Sequence, residues 1–215
     1  MRRQRKTRTA KVFAVLGLGR FGSSLARTLY EMGYEVLGVD SDESRVQDMA
    51  NYLTQAVQAN ATDENAMRSL GLRNVDVCVV SIGDLQTSIL ATMLVKDLDV
   101  PMVVCKAVSD VHGKVLEKLG ADRIVFPERD MGHRMAHNLV SGNLVDYLEL
   151  APGYSIVEVR ISNEYVGKTL RALDLRAKYG VNILAVRRHD EIQVSPGPEF
   201  TLTANDILIA IGPDD

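Results

Sequence analysis

Long apolar runs are missing from this sequence. No stretch of about 18 residues is apolar enough to cross a membrane, so no transmembrane helix is expected. Cysteine is scarce: Cys78 and Cys105 are the only two, and both lie in apolar strand-like runs. They read as small buried hydrophobes in a reduced cytosol, which argues against a disulfide or a reactive thiol. Aromatic residues make up only 5% of the chain. With no basic helix or aromatic-studded strand either, nucleic acid is not an expected partner.

Acid is missing from the first eleven residues, where Arg2, Arg3, Arg5, Lys6, Arg8 and Lys11 stand. The rest of the chain carries 19 basic and 28 acidic side chains, a net of −9. Residues 1–10 are therefore expected to form a disordered basic arm that aids solubility, with contact to a membrane surface or a partner as the alternative. No apolar h-region follows the arm, so no signal peptide is expected.

What is present is an ordinary globular balance, 46% hydrophobic and 25% charged. The length of 215 residues suits one large or two small domains. From Lys11 onward, apolar strands alternate with helical patterns. Strands are predicted at Val12–Leu16, Glu35–Val39, Ala56–Ala59, Asp76–Val80, Met102–Lys106 and Arg123–Phe126. Several are near-continuous apolar runs, as strands covered on both faces require. Between them, Phe21, Leu25 and Leu29 recur at spacing four, one apolar helix stripe. Further helices are predicted at Arg45–Leu53 behind an Asp42 cap, at Asp84–Leu98 and at Ser109–Leu119. Six βα units read as a Rossmann-like doubly wound parallel sheet.

The rhythm then changes. A helix over Asp130–Val140 is interrupted by Ser141-Gly142-Asn143. After Ala151-Pro152-Gly153, strands are predicted at Ser155–Ile161, Val181–Val186, Glu191–Val194 and Asp206–Ile211. One helix, Thr169–Lys178, sits among them and ends at Gly180. The predicted organisation is a nucleotide-binding domain over 11–140 and a small α+β domain over 141–215.

The stretch Val15-Leu16-Gly17-Leu18-Gly19-Arg20-Phe21-Gly22 carries the chemistry. A Gly-x-Gly-x-x-Gly turn that follows an apolar strand and opens an amphipathic helix offers backbone N–H groups to phosphates. Asp40 ends the second strand, where an acid accepts hydrogen bonds from ribose hydroxyls and disfavours a 2′-phosphate. Arg20 occupies a turn position that often holds a small or apolar side chain. Its guanidinium suits a terminal phosphate, as in ATP or ADP, better than a nicotinamide; the alternative is a surface arginine paired with a nearby acid. An NAD(P)-linked oxidoreductase would need a catalytic group over the nicotinamide. The second domain is small and offers His189 as its only histidine. His133 and His137 have the spacing of two metal ligands, but no third ligand accompanies them.

Several runs together resemble the RCK (KTN) domain. They are GLGRFG at 17–22, Val39-Asp40, Asn60-Ala61-Thr62-Asp63, Val80-Ser81-Ile82-Gly83, KVLEKLGAD at 114–122 and PERDMG at 127–132. More narrowly, they are similar to the KtrA/TrkA-type cytosolic regulatory subunits of bacterial potassium uptake systems. The second domain resembles the RCK C-terminal domain through LDLRAKYG at 173–180, Asn182-Ile183 and Val194-Ser195-Pro196. The likeness runs from Lys11 to near the end of the chain.

The resemblance implies a regulator and no enzyme. It implies an octameric ring, a tetramer of dimers, on a dimeric K+-translocating membrane subunit of KtrB/TrkH type. The ring would be cytoplasmic, held at the inner face of the membrane by that partner, and gated by ATP and ADP. NAD(H) as the nucleotide and a channel as the partner are the alternatives. Gly17, Leu18, Gly19, Arg20, Phe21 and Gly22 would form the phosphate turn, with Arg20 on the γ-phosphate. Asp40 and Ser41 would hold ribose, and Asn60, Ala61 and Thr62 would line the adenine side. Ile82 and Gly83 would complete the site, and Lys106 would add phosphate charge. Glu128 would stand at the dimer interface and bind Mg2+ or Ca2+; read alone, it is a first-turn acid suited to a helix dipole. In the second domain, Leu175, Arg176, Asn182, Ile183 and Pro198 would bind cyclic di-AMP. Read alone, Arg176 caps its own helix and Asn182 pairs with backbone. The loop Gly83-Asp84-Leu85-Gln86 is about one residue shorter than the family pattern, and the basic arm has no counterpart in it.

Overall fold

The computed structural model describes residues 11–140 and 142–214, so the basic arm lies outside the described residues. The chain divides into two compact units, one ending at Glu128 and the other beginning at Arg129. That division falls inside a helix, earlier than the boundary after residue 140 read from the sequence.

The first unit is built on six strands: β1 (Val12–Leu16), β2 (Glu35–Asp40), β3 (Gln55–Gln58), β4 (Val77–Val80), β5 (Met102–Lys106) and β6 (Arg123–Val125). They lie in the order β3-β2-β1-β4-β5-β6, and every neighbouring pair is parallel. Side chains alternate across a strand, so β1 to β5 each feed two cores. Ala14, Leu16, Leu37, Val39, Cys78 and Val80 enter one cluster, and Val15, Val36, Val77 and Val79 enter the other. Burial on both faces explains the continuous apolar runs. Each fully buried Val or Leu contributes roughly 1.5–3 kcal/mol.

Helices α1 (Arg20–Glu31), α2 (Glu43–Met49), α3 (Glu64–Ser69), α4 (Leu85–Asp97) and α5 (Asp110–Lys118) connect these strands. α6 (Pro127–Val140) follows β6. Asp42, Asp63, Asp84 and Ser109 cap α2 to α5 by accepting hydrogen bonds from first-turn N–H groups. α3 has no counterpart among the predicted helices. It is too short to show a periodicity, yet its Met67 is fully buried. Cys78 and Cys105 are both buried and free, as expected. Burial pushes both thiols up, away from the reactive thiolate.

The second unit holds β7 (Leu144–Ala151), β8 (Tyr154–Arg160), α7 (Leu170–Leu173), α8 (Leu175–Tyr179), β9 (Asn182–Arg188), β10 (Glu191–Val194) and β11 (Ile207–Pro213). Its strands pair antiparallel in the order β10-β9-β11-β8-β7. β7 is absent from the predicted strands because Leu144, Tyr147 and Leu148 fit a helical spacing and not strand alternation, which irregularities in the pairing with β8 interrupt. The single helix read over Thr169–Lys178 is two. Asp174 adopts the left-handed region (φ 46°, ψ 46°) and separates α7 from α8. Leu173 and Leu175 are both buried in one core. Residues two apart cannot share one face of a continuous helix, so the break lets both enter. Gly180, at φ 69°, ends α8 as expected.

Candidate nucleotide site

The sheet order reverses between β1 and β4, and that is where an open α/β sheet leaves a crevice at its strand ends. A cavity of about 840 Å³ occupies this position in the first unit. Its floor is the β1–α1 turn. Gly17 takes φ +96°, a region side chains rarely adopt, and its N–H donates to the Val39 carbonyl at 2.7 Å. A Cβ at Gly22 would overlap the Gly17 carbonyl oxygen, so Gly22 serves close packing and does not line the cavity. Gly19 has open space where a Cβ would stand, which leaves the backbone approachable.

α1 begins without the cap its neighbours have. Gly19 is its N-cap, no side chain bonds its first turn, and no acid stands there. Its first intrahelical bond runs from the Ser23 N–H to the Gly19 carbonyl at 2.8 Å. The N–H groups before it therefore point outward at the positive end of the helix dipole. This is the arrangement an anionic group requires.

Asp40 is nearly buried and ties the site together. Its Oδ2 accepts from the Leu18 N–H at 2.6 Å, and its Oδ1 accepts from the Asp42 N–H at 2.9 Å. Each carboxylate oxygen carries two lone pairs, so capacity remains for a ligand hydroxyl. Ser81, from the end of β4, donates its hydroxyl to the Gly17 carbonyl at 2.6 Å and clamps the turn from the other side.

The charged residues at the mouth are mixed. Arg20 is the exposed first residue of α1, and Lys106 ends β5. Lys106 donates to Glu128 at the start of α6, and this bond is the main reason the Glu128 carboxyl lies below its ordinary range. The Arg20 charge adds a smaller effect in the same direction. Asp84, the α4 cap, is lowered by hydrogen bonds from Thr87.

Gly17, Leu18, Gly19, Arg20 and Phe21 line the cavity, as do Asp40, Ser41, Asn60, Ala61, Ile82, Gly83, Lys106 and Glu128. Thr62 does not: its N–H and hydroxyl bind Asn60 Oδ1 at 3.0 and 2.9 Å. Sequence reasoning missed Ser23, Arg45, Ser81, Asp84 and Thr87 as lining residues. For Arg45 and Asp84 a signal existed, because each lies within a few residues of a strand end facing the crevice.

In the second unit, Arg176 is exposed in the last turn of α8 and Asn182 is exposed at the first position of β9. Ile183 is half-buried, Pro198 is exposed and Leu175 belongs to the core. His137 stacks on Tyr147 with ring centres 4.3 Å apart. His189 takes φ 55° in the turn between β9 and β10. Among the described residues, no group of three His, Cys, Asp or Glu side chains is placed to hold a metal.

The TrkA-N domain model matches residues 13–127, and the TrkA-C domain model matches residues 155–215. The chain belongs to the TrkA-N/TrkA-C family. Within it, Ktr system potassium uptake protein C of Bacillus subtilis (strain 168) is 49% identical over 203 residues, covering 94% of this chain and 92% of the relative. Ktr system potassium uptake protein A of the same organism is 47% identical, covering 94% and 91%. Among solved structures, the GsuK RCK domain aligns with a TM-score of 0.55 at 24% identity, over 95% of this TrkA-family chain and 44% of that chain. That likeness concerns the fold. No helix among the described residues of the chain is long and apolar enough to cross a membrane.

Proposed function

We propose that this chain is a non-catalytic regulatory subunit of a potassium uptake system, and that ATP or ADP in the first unit sets its state. The observation that carries the reading is the uncapped, glycine-floored start of α1, which shares one cavity with Arg20, Lys106 and the Asp40 carboxylate. Its two relatives in Bacillus subtilis bear potassium uptake names. Phosphates would lie on the turn, with Arg20 reaching the γ-phosphate, and ribose would bind Asp40. Glu128 has one oxygen engaged by Lys106 and is largely exposed, so its carboxylate would hold Mg2+ or Ca2+ beside the phosphates.

A ligand shifts a conformational equilibrium only through contacts that differ between two states. The γ-phosphate on Arg20 is such a contact, present with ATP and absent with ADP. The subunit would act as an octameric ring, a tetramer of dimers, in the cytoplasm. It would control a dimeric K+-translocating membrane subunit of KtrB/TrkH type. In the second unit Arg176 and Asn182 would bind cyclic di-AMP, an inhibitory ligand: the guanidinium suits a phosphodiester and the amide suits a base edge.

Calorimetric titration with ATP, ADP, NADH and cyclic di-AMP, with Mg2+ present, tests this. Tight ATP and ADP binding with weak NADH binding is expected. Arg176→Ala is expected to abolish cyclic di-AMP binding and leave ATP binding intact. Tight NADH binding without an ATP response would overturn the gating assignment, and cyclic di-AMP bound unchanged by Arg176→Ala would overturn the second site.

A further inference from the structure

We propose that Arg45 is the base-recognition residue of the nucleotide cavity, with its guanidinium plane stacked on the purine ring. This rests on the nucleotide reading above and goes beyond it, because neither the glycine turn nor Asp40 accounts for the base.

Arg45 stands in the first turn of α2 and lines the cavity. One carboxylate hydrogen-bonds its edge and a second lies at ion-pair distance. Its terminal nitrogen donates to Asp40 Oδ2 at 3.4 Å, and its Nε lies 3.6 Å from Asp42 Oδ2. Asp42 is itself fixed, because its Oδ1 accepts from the Ser44 N–H at 2.9 Å and from the Ser44 hydroxyl at 2.8 Å. Guanidinium N–H groups donate in the plane of the group. The Asp40 bond and the Asp42 ion pair both draw on the guanidinium edge, and neither engages its two faces. A face held this way stacks on an aromatic ring with little further loss of side-chain freedom.

The position agrees with the geometry of Asp40. The carboxylate that would hold ribose is the same one that holds Arg45, so the base attached to that ribose lies within reach of the guanidinium. Among the described residues, Phe21 is the only aromatic side chain lining the cavity, and it belongs to the phosphate turn. Ala59 and Ala61, which follow β3, are small and leave room for a ring. The arrangement thus selects nucleotides by a flat face, independently of how many phosphates they carry.

The test compares Arg45→Lys and Arg45→Ala with the parent protein, using ATP, ADP and ribose 5-triphosphate, which has the sugar and phosphates but no base. Lysine keeps the charge and loses the plane. Arg45→Lys is expected to weaken ATP and ADP alike by about fivefold and to leave ribose 5-triphosphate unchanged. Arg45→Ala is expected to lower the preference for ATP over the base-free ligand by a similar factor. Parental affinities in Arg45→Lys would overturn the stacking role, since charge alone would then suffice. Equal losses for ATP and ribose 5-triphosphate in Arg45→Lys would also overturn it, since the residue would then act through the sugar. Failure of the parent protein to bind any adenine nucleotide would overturn the nucleotide reading and this inference together, whereas parental binding with an unaffected variant overturns this inference alone.

Discussion

The first unit gathers its candidate ligand groups from six strand ends into one concave cavity, whereas the second unit leaves Arg176, Asn182 and Pro198 on a surface. The cause is topological. Parallel strands all end at the same side of a sheet, and a reversal of strand order leaves a gap there. Turn, acid and cations then converge without any partner chain. Antiparallel strands alternate their ends and leave no such common edge, and Arg176, in α8, and Pro198, in the loop between β10 and β11, reach solvent from separate elements. A site on such a surface needs a second surface to close it. This is why the proposed dimer matters more to the second unit than to the first.

The sharpest way to break the comparison is to damage one unit and ask whether the other notices. Asp206 is fully buried in the second unit. It accepts two bonds from Arg188, both at 2.8 Å, and one from the Thr203 N–H at 2.8 Å. Burial alone raises its carboxyl, but the Arg188 and Thr203 bonds outweigh this and hold it below its ordinary value. Asp206→Ala should destabilise the second unit by about 3 kcal/mol, the low end for a broken buried pair because Arg188 can reach solvent. The sign with pH follows from the lowered carboxyl. The stabilisation is complete above the unfolded-state value of about 4 and is lost as pH falls through the lower folded value. Urea denaturation at neutral and acid pH measures both. ATP affinity should be unchanged, and a parallel loss of ATP binding would mean the units are not independent.

Much of this contrast was legible in the sequence, and unevenly so. The turn from Val15 to Gly22 could be read because its requirements are local: strand, positive φ, close packing and helix start lie in eight consecutive residues. Asp40 could be read because it ends a strand at the expected distance. Ser81 could not be assigned its clamp, since it meets Gly17 across 64 positions of chain. Arg45 was read only as part of an amphipathic helix, although its place five residues after Asp40, at the end of β2, was a signal that it faces the crevice. β7 was missed because Leu144, Tyr147 and Leu148 follow a helical spacing, and only the irregular pairing with β8 makes the segment a strand. The break at Asp174 was hidden because the core's demand for both Leu173 and Leu175 is a tertiary fact.

Within the first unit, Arg20→Ala should have the next largest effect. A hydrogen bond to a charged group contributes about 1.5–3 kcal/mol. Loss of such a bond to the γ-phosphate should weaken ATP by about tenfold or more while changing ADP much less. Titration of the variant with both nucleotides reads the ratio directly. Equal losses would place Arg20 on a phosphate that ATP and ADP share, and the difference between the two ligand states would need another origin.

The smallest expected effect concerns Glu128 and Lys106, where the cavity's own charges compete with a ligand. Lys106 is mostly buried and bonded to a largely exposed carboxylate. That bond lowers the Glu128 carboxyl. The pair therefore persists at neutral pH and opens only as pH falls through the lowered value. Glu128→Gln keeps the shape, removes one negative charge and frees Lys106 for phosphate. Without divalent cation, the variant should bind ATP about two- to threefold more tightly, in keeping with the modest worth of an exposed pair. With Mg2+ present the parent should gain affinity and the variant should not, because the carboxylate that would hold the cation is gone. Titrations with and without Mg2+ separate the two roles. A variant that still gains affinity with Mg2+ would leave Glu128 as the partner of Lys106 and the acid of a first helical turn, the role its position suggests before any ligand is considered.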